Sequence, residues 1–447
     1  MLSKEQNKRF TEVGAGTPMG EMMRRYWMPF ATVKQLTEHP TRAVSLLGEH
    51  LVAFRDRSGN YGLIQEFCPH RNTNLLWGIV EPEGLRCPYH GWLFDAQGNC
   101  LEQPAEHPDS TFKERIKVQS YPVEEVGGML WAWLGPIEKK PMVPRWEAFV
   151  KEGVRDIGWA ILPCNWLQIM ENSLDPVHVE WLHRYFSNYA MERLGRTTDD
   201  PSYWRKHAQH RRHVKIGFDV FEHGIVKRRV LEGDDEQHPN WRIGHVICFP
   251  YMLRQDQIRV PMDDTHTLYW WYNVHKKRPG DPDQRPEDIP LYKVPLPGVD
   301  DEGVPIWEIM DNNSGQDNYA WSSQGPITPR WTEHLGESDK GLILYRRLLR
   351  EQMKIVEDDG DPMNTFRDPA TNVSIHVPHE SDEPRWQNMD RDSEQMAGGV
   401  SDAGVIGTGR AVKYSPVAQQ RAREAGRATP EDIKTELAGF GQIHSRE

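Results

Sequence analysis

The sequence predicts an α+β chain in which a small antiparallel β domain precedes a second domain made of an antiparallel sheet and helices. Short apolar runs alternate with turn residues between positions 42 and 133. A proline-rich stretch follows at 135–145, and helical windows mixed with further β-like runs come after it. Because Pro-rich segments commonly separate domains, we expect one domain at residues 1–145 and a second at residues 146–447.

The first domain is predicted from its short β-like runs and the turns between them. The turn segments 56–60 and 95–99 are rich in Asp, Asn and Gly, which favours tight turns between antiparallel strands. The runs themselves are 43–47, 50–55, 61–66, 85–87, 92–95 and 129–133.

The second domain is predicted to begin with a strand at 156–166 and a helix at 166–183. The segment 281–297 is rich in Pro and Asp and predicts a loop, whereas 340–356 has the leucine spacing of an amphipathic helix. A polar C-terminal tail, with a helix start at Thr429, either packs against a neighbouring chain or is mobile. The β-like runs of this domain are 214–222, 224–232, 241–253, 257–261 and 265–275.

Composition limits the classes of function open to the chain. Its 447 residues carry a formal net charge of −12 without an isolated basic block, which argues against a nucleic-acid partner. No apolar run reaches about 18 residues, so no membrane partner is expected. The N-terminal sequence MLSKEQNKRF lacks the apolar core of a secretory signal, which predicts a cytoplasmic location. Five cysteines do not suggest a disulfide framework in so long a chain.

Two paired cysteine and histidine motifs are the most informative feature of the sequence. Cys68 and His70 form a C-x-H motif, and Cys87 and His90 form a C-x2-H motif 16 residues later. Two thiolates on one iron and two imidazoles on the other are the ligand set of a Rieske [2Fe-2S] centre, which has a higher potential than an all-cysteine cluster. A structural zinc site is the alternative, although such sites usually start from a C-x2-4-C pair.

A second histidine pair, His178 and His183, lies within the predicted helix at 166–183. Neighbours on an α-helix are three or four residues apart, so a separation of five brings both rings to one metal only if the helix is widened into a π-turn or kinked. Two imidazoles and one carboxylate that leave coordination positions open form the facial triad of non-haem Fe(II) oxygenases.

With the two cysteine and histidine motifs followed by N-x2-D-x2-H-x4-H at 172–183, the chain resembles the Rieske non-haem iron ring-hydroxylating oxygenases. The resemblance is to their catalytic α subunits and extends from residue 1 to about residue 360. It implies a Rieske [2Fe-2S] domain followed by a helix-grip catalytic domain, with a [2Fe-2S] cluster and a mononuclear Fe(II) as cofactors. The sequence segments 16–20, 25–29 and 323–327 look most like those of the phthalate-dioxygenase group.

The resemblance also implies roles for individual residues. Asp317, in the segment 315–326, is assigned as the third iron ligand, with Asp311 as the alternative. A competing interpretation makes Asp317 a helix N-cap. Asp175 is similar to the aspartate that hydrogen-bonds a Rieske histidine of the neighbouring subunit and a ligand histidine, and so links the two metal sites. Asn172 is expected to support the iron site without binding the metal.

The activity implied by the resemblance is that of the oxygenase component of a multicomponent dioxygenase. It hydroxylates an aromatic carboxylate, phthalate-like or a substituted benzoate, with O2 and electrons from a flavin and [2Fe-2S] NAD(P)H-dependent reductase. The family assembles as homotrimers or stacked trimers with electron transfer between subunits. One alternative is a Rieske monooxygenase that demethylates an aryl ether or a methoxybenzoate, and another is an electron-transfer iron-sulfur protein without oxygenase activity.

A carboxylate-bearing substrate favours an arginine anchor, because the guanidinium group binds a carboxylate through two parallel hydrogen bonds. Arg205 and Arg242 each directly follow a tryptophan and are the first candidates. Arg228, Arg229 and Arg254 are further candidates, although an arginine is more often part of a surface ion pair.

Overall fold

Three small antiparallel sheets make up the first part of the chain in the computed structural model, which describes residues 1–196, 212–281, 283–378 and 412–424. Their strands are β1 (Trp27–Thr32), β2 (Thr41–Leu46), β3 (Glu49–Arg55), β4 (Tyr61–Gln65), β5 (Ile79–Glu81), β6 (Gly84–Arg86), β7 (Leu93–Phe94), β8 (Cys100–Glu102), β9 (Val123–Val126) and β10 (Met129–Trp133). The sheet orders are β1-β10-β9, β2-β3-β4 and β5-β6-β7-β8.

The two turns predicted between these strands are closed by aspartate side chains. Asp56 Oδ1 accepts a hydrogen bond from the Asn60 N–H at 2.8 Å, and Asp95 Oδ1 accepts from the Asn99 N–H at 2.8 Å. An aspartate that bonds the backbone ahead of it mimics a backbone turn. The turn residues seen in the sequence therefore do fix the strand ends.

An eight-stranded sheet dominates the second part of the chain. Its strands are β11 (Val154–Leu162), β12 (His213–Phe221), β13 (Gly224–Leu231), β14 (His245–Cys248), β15 (Met252–Leu253), β16 (Gln257–Pro261), β17 (Thr267–His275) and β18 (Leu291–Lys293). The order is β12-β13-β14-β15-β16-β17-β11-β18, and β18 pairs parallel with β11 while the other neighbours are antiparallel.

Helices lie before, between and after the strands along the chain. They are α1 (Lys4–Thr11), α2 (Pro18–Met23), α3 (Val33–Glu38), α4 (Glu147–Val150), α5 (Trp166–Leu174), α6 (His178–Glu180), α7 (Phe186–Arg193), α8 (Pro239–Arg242), α9 (Asn313–Ser322), α10 (Lys340–Glu357) and α11 (Pro416–Glu424), with a π-helix at Trp181–Tyr185. The α+β fold class predicted from the sequence is confirmed.

Alternating residues of β17 place the sheet between two packed layers. Trp270 donates its indole N–H to the Pro29 carbonyl of β1 at 3.0 Å, so this face lies against the first part of the chain. The neighbouring Tyr269 points the other way, and its ring lies 5.4 Å from that of Trp321 on α9. Successive side chains of a strand face opposite sides, so α9 covers the face opposite β1.

The continuous helix predicted at 166–183 is wrong in one respect, because α5 ends at Leu174. Asp175 has an extended backbone, with ψ at 118°, directly before Pro176. Proline disfavours a helical conformation in the preceding residue and provides no N–H for the helix. The chain restarts as α6 and widens into the π-helix, which confirms the prediction of a kinked or widened helix around the histidine pair.

A side-chain cap and a glycine fix the start of helix α9. The Asn312 side chain accepts a hydrogen bond from the Gly315 N–H at 2.9 Å and caps the helix. A Cβ atom on Gly315 would lie 1.8 Å from the Ile309 carbonyl oxygen, so only glycine allows this close approach. The cap and the glycine together fix the helix that carries residues 313–322.

Two further predictions need correction. The predicted loop 281–297 contains β18, which pairs with β11 between Ile157 and Leu291. The predicted run 241–253 overlaps α8 and is divided between β14 and β15. A Pro-rich, polar composition hides a strand this short, since three residues carry little periodicity. The helix start predicted at Thr429 lies outside the described residues.

Residues near both ends of the chain pack on its second part. The Asn7 side chain of α1 donates to the Thr328 carbonyl at 3.1 Å, and Phe10 belongs to the same buried cluster as Leu348 of α10. Near the other end, the Lys413 ammonium binds both carboxylate oxygens of Asp311, at 2.6 and 2.7 Å. Part of the polar tail therefore packs on its own chain. Across the described ranges, no helix has the length and apolar character needed to cross a bilayer.

Candidate functional site

Two short loops hold the paired cysteine and histidine motifs. The loop after β4 contains Cys68, and the loop between β6 and β7 contains Cys87. In each loop the cysteine N–H donates to a carbonyl five residues later, at 2.9 and 2.8 Å. Asn72 and Gly91 turn these loops with φ angles of 55° and 76°, in the region that favours Asn and Gly. The two loops have matching geometry and are tied at their ends.

The donor atoms of the two loops differ in exposure. Cys68 and Cys87 are buried, with 1% and 2% of their surfaces exposed, whereas His70 is exposed. The His70 and His90 rings lie 4.4 Å apart, and Trp92 stacks on His70 at 4.5 Å. Two buried sulfurs beside two adjacent imidazoles are the donor set of a Rieske cluster, with the histidine side toward the surface.

His178, His183 and Asp317 lie together in the second part of the chain. His183 Nε2 is 3.2 Å and His178 Nε2 is 3.8 Å from Asp317 Oδ1. One donor atom from each side chain lies within 4.8 Å of the others. Residues that are five apart lie on the same side of a π-helix, so the π-helix brings His178 and His183 to one side. Two imidazole nitrogens and one carboxylate oxygen fit a non-haem iron.

Gln316 fixes the proton of His183. Its amide nitrogen donates to Ser187 Oγ at 2.7 Å and to the Met310 carbonyl at 2.8 Å. Its amide oxygen therefore faces His183 Nδ1 at 2.9 Å and accepts the Nδ1 proton. This leaves the Nε2 lone pair of His183 directed at the position between the histidines and Asp317. Gln316 is fully buried. The sequence shows that Gln316 is next to Asp317, but it does not show which groups Gln316 contacts. Sequence analysis alone therefore did not identify the role of Gln316.

Asp175 holds the corresponding position beside His178. Its Oδ1 accepts from the Val177 N–H at 2.7 Å, and its Oδ2 lies 3.6 Å from His178 Nδ1. The other ring nitrogen of His178, Nε2, faces Asp317. The Asp175 side chain is 27% exposed, which leaves it accessible at the protein surface. The Asn172 carbonyl accepts the Asp175 N–H at 3.0 Å, at the point where α5 ends.

The protonation states of these side chains suit a cation. Burial would raise the pKa of Asp317, but His183 and His178 outweigh it and hold the pKa below its usual value. Burial lowers the pKa of His178, which favours the neutral ring. Metal ligation requires an ionised carboxylate and neutral imidazoles. An ionised Asp317 and a neutral His178 therefore fit a divalent metal ion.

The alternatives proposed for Asp317 do not fit the structure. Asp317 lies in the middle of α9, whose N-cap is Asn312, so the capping interpretation is wrong. Asp311, the alternative third ligand, instead forms a buried ion pair with Lys413. Its second cationic neighbour is Arg196 at 3.4 Å. Asp311 therefore forms ion pairs with Lys413 and Arg196 and is not the third ligand beside the histidine pair.

The arginines predicted to anchor a substrate have different surroundings. Arg228 donates from Nη1 to the carbonyl of Arg242 at 2.6 Å and from Nε to an aspartate of β12 at 2.7 Å, so its guanidinium is engaged. Arg242 itself ends α8. Arg254 is buried and lies 3.2 Å from Asp256. Arg205 lies outside the described residues.

Comparison with known proteins identifies the family of the chain. A family model described as a Rieske [2Fe-2S] domain matches residues 26–122, which favours the cluster over zinc. The 5,5'-dehydrodivanillate O-demethylase oxygenase subunit of a Sphingobium species is 42% identical over 386 residues, or 85% of this chain and 87% of that protein. The phthalate 4,5-dioxygenase oxygenase subunit of Pseudomonas putida is 31% identical over 389 residues, or 79% and 86% of the two chains.

A solved structure shares the fold. NdmA from Pseudomonas putida CBB5, determined with caffeine, superimposes with a TM-score of 0.52 at 22% identity and covers 80% of this chain and 97% of its own. The relatives are oxygenase subunits of multicomponent systems, and the cofactors of their family are a Rieske [2Fe-2S] cluster and a mononuclear iron. The chain therefore belongs to the Rieske non-haem iron oxygenases, as a catalytic oxygenase subunit related to phthalate dioxygenase.

Proposed function

We propose that this chain is the oxygenase component of an O-demethylase that acts on a methoxylated aromatic acid. The observation that carries the proposal is the 42% identity to an O-demethylase oxygenase subunit, against 31% to phthalate 4,5-dioxygenase. In this reaction the aryl methyl ether, O2, two electrons and two protons give a phenol, formaldehyde and water. The aryl–oxygen bond stays intact while the methyl carbon is oxidised and leaves as formaldehyde.

The proposal assigns two sets of ligands. When bound, the cluster supplies electrons one at a time and the ferrous iron supplies the open positions at which O2 is activated. Gln316 holds the proton on His183 Nδ1, and Asp175 faces the corresponding nitrogen of His178. The [2Fe-2S] ligands are Cys68, His70, Cys87 and His90, and the iron ligands are His178, His183 and Asp317.

Ring dihydroxylation of a phthalate-like or benzoate-like acid is the second candidate, and the 31% identity to phthalate 4,5-dioxygenase supports it. A simple electron carrier is disfavoured, because a carrier has no use for three metal-binding side chains within 4.8 Å of one another. Both oxygenase reactions use the same ligands, so the bound substrate decides between them.

Product analysis separates these reactions. The holoenzyme, a compatible NADH-dependent flavin and [2Fe-2S] reductase and 18O2 are incubated with 5,5'-dehydrodivanillate, a methoxybenzoate and phthalate. We expect formaldehyde release with one 18O-labelled water per phenol formed. A cis-diol without formaldehyde would support the dioxygenase instead. NADH oxidation without either product from any methoxyarene would contradict the demethylase.

The His183→Ala variant tests whether the two metal sites are separate. We expect loss of turnover because the iron loses one of three ligands, while the visible spectrum of the Rieske cluster is unchanged. Metal analysis should fall from three iron atoms per chain to two. Loss of the Rieske spectrum in this variant would contradict two independent sites.

The proposal extends to assembly. Asp175 at the surface and His70 in an exposed loop suit electron transfer between the subunits of a homotrimer or stacked trimers. The division into a Rieske domain at 1–145 and a catalytic domain at 146–447, and a cytoplasmic location, are proposed with it.

A further inference from the structure

Strand β13 places a buried lysine beneath the metal-binding helices. Lys227 is 6% exposed, and its ammonium group donates to the Asp175 carbonyl at 3.2 Å. Asp175 lies at the break between α5 and α6, three residues before His178. The lysine therefore lies between the sheet and the segment that carries the histidine pair.

The charge of Lys227 is poorly matched by its described neighbours. Its single hydrogen bond within the described residues goes to a neutral backbone carbonyl, and Arg229 and Arg254 add positive charge around it. Burial, followed by Arg229, lowers the pKa of Lys227 to about 7 despite the opposing effect of Asp175 and Asp317. Among the described residues, neither carboxylate hydrogen-bonds the ammonium group, whose partner is the Asp175 carbonyl. A buried cation in this state gains from an added anion.

The surroundings of Lys227 suit an aromatic anion. In the antiparallel register, Lys227 pairs with Phe218 of β12 and His245 of β14, so all three side chains project from the same face. Arg229 lies two residues further along β13 and so on the same face. This face therefore combines two cations with two aromatic rings, and Lys227 lies near enough to Asp317 to interact with its charge.

Two other basic residues of the sheet, Arg259 and Arg228, are already engaged. The Arg259 guanidinium donates to Ser173 Oγ at 2.9 Å and to Tyr269 Oη at 3.0 Å. Arg228 projects from the opposite face and contacts an aspartate of β12. Lys227 differs from both, because a substrate oxygen would be its first anionic hydrogen-bond partner in the described chain.

We propose that Lys227 binds an anionic oxygen on the aromatic ring of the substrate, a carboxylate or a phenolate, and so selects acidic methoxyarenes. The proposal rests on the O-demethylase function above and adds the residue that recognises the acidic group. A charge-assisted hydrogen bond in a buried site positions the ring and discriminates against neutral analogues.

Binding measurements on the holoprotein test this role. Isothermal titration calorimetry without reductase, and without O2, compares 5,5'-dehydrodivanillate with its dimethyl ester and with its phenol-methylated ether. We expect the wild-type protein to bind the acid about 10- to 100-fold more tightly than whichever analogue lacks the recognised anion. Lys227→Met should abolish this preference, and Lys227→Arg should retain part of it. The ester and the ether distinguish a carboxylate from a phenolate.

Lys215→Met is the matched control. Lys215 lies on the neighbouring strand β12, is exposed and pairs with Glu236, so its removal should leave the preference unchanged. Iron content and the Rieske spectrum establish that each variant is loaded and folded. A Lys227→Met protein that keeps the wild-type preference would overturn the proposal while leaving the demethylase intact. Failure of the wild-type protein to bind any of the three compounds would overturn the role of Lys227 in recognising this acid, whereas the formaldehyde assay decides separately whether the chain is a demethylase.

Discussion

The proton on one histidine nitrogen is set by a glutamine that never contacts the metal position. Both donor hydrogens of Gln316 are used by Ser187 and Met310, so its oxygen accepts from His183. A ligating imidazole needs such an acceptor to hold its tautomer and ring orientation. Gln316 is therefore a positioning residue of the proposed iron site.

We expect Gln316→Leu to weaken Fe(II) binding by about 10- to 100-fold, because His183 loses the acceptor for its Nδ1 proton. The measurement is iron content after dialysis against a graded chelator series, with the Rieske spectrum as an internal reference. Gln324→Leu, exposed beyond the end of the same helix, is the control and should bind iron normally. Equal iron affinity in both variants would contradict the role of Gln316.

At the scale of elements, the loop before α9 is held by the C-terminal segment. Lys413 and Asp311 form an ion pair in which the side chains are 8% and 4% exposed, and Asp311 directly precedes the N-cap Asn312. Lys413 also donates to the Glu308 carbonyl at 3.1 Å. The pair therefore fixes the start of the helix that carries Asp317.

We expect Lys413→Met to lower the free energy of unfolding by about 3 kcal/mol, because a buried carboxylate loses its main partner. Iron retention should fall as well, since α9 carries Asp317. The double variant Lys413→Met/Asp311→Asn removes both charges and should recover much of the loss. Thermal unfolding checks both, with Lys340→Met at an exposed ion pair of α10 as control. Normal unfolding of Lys413→Met would show that the pair is dispensable.

The elements that sequence could predict are those with a local cause. The five-residue separation of His178 and His183 indicated a widened or kinked helix, and aspartate turns predicted strand ends, because both depend on neighbouring residues. The partners of Gln316 and the burial of Lys227 depend on contacts between distant strands and helices. No periodicity encodes such contacts, so these residues became visible only in the fold.

At the scale of the whole molecule, a buried carboxylate joins three parts of the chain. Glu171 of α5 receives Arg330 Nε at 2.8 Å and Arg346 Nε of α10 at 2.6 Å. Arg330 also donates to Asn7 of α1 at 3.0 Å. The three ionic side chains are at most 8% exposed. The two arginines offset the effect of burial and hold the pKa of Glu171 below its usual value.

We expect Glu171→Gln to cost about 3–5 kcal/mol of unfolding free energy, because two buried arginines lose their shared partner. In the wild type this stability is present above pH 4.5, the usual value for glutamate, and is lost as the pH falls through the lower folded pKa. The unfolded glutamate takes up its proton first, which favours unfolding. Urea titrations from pH 3 to 7 should show a steeper acid loss in the wild type than in Glu171→Gln.

Glu351→Gln is the matched control for the buried carboxylate. Glu351 pairs with Arg347 on the surface of α10, with both side chains more than half exposed. An exposed pair on a helix contributes about 0.5 kcal/mol or less. A Glu171→Gln protein as stable as this control would contradict a structural role for the buried network.

The proposed assembly into oligomers leads to a further prediction at this scale. We expect co-expressed Cys68→Ser and His183→Ala chains, each inactive alone, to form mixed oligomers with about a third of the wild-type activity, because in the proposed homotrimer one of the three head-to-tail contacts of any mixed oligomer joins an intact cluster to an intact iron site. Product formation per purified mixed oligomer is the measurement. Complete inactivity of the mixture would place electron transfer within single chains.

The ion pair between Asp311 and Lys413 also has a consequence for the order of events while the chain is synthesised. The two residues are 102 positions apart, so a ribosome that adds about 5–20 residues per second needs about 5–20 s to travel between them. During that interval both histidines and Asp317 have been synthesised, but the lysine that secures the neighbouring loop has not. Translation thus leaves an interval in which the three side chains of the proposed iron site have been synthesised without the ion pair that holds the loop before α9.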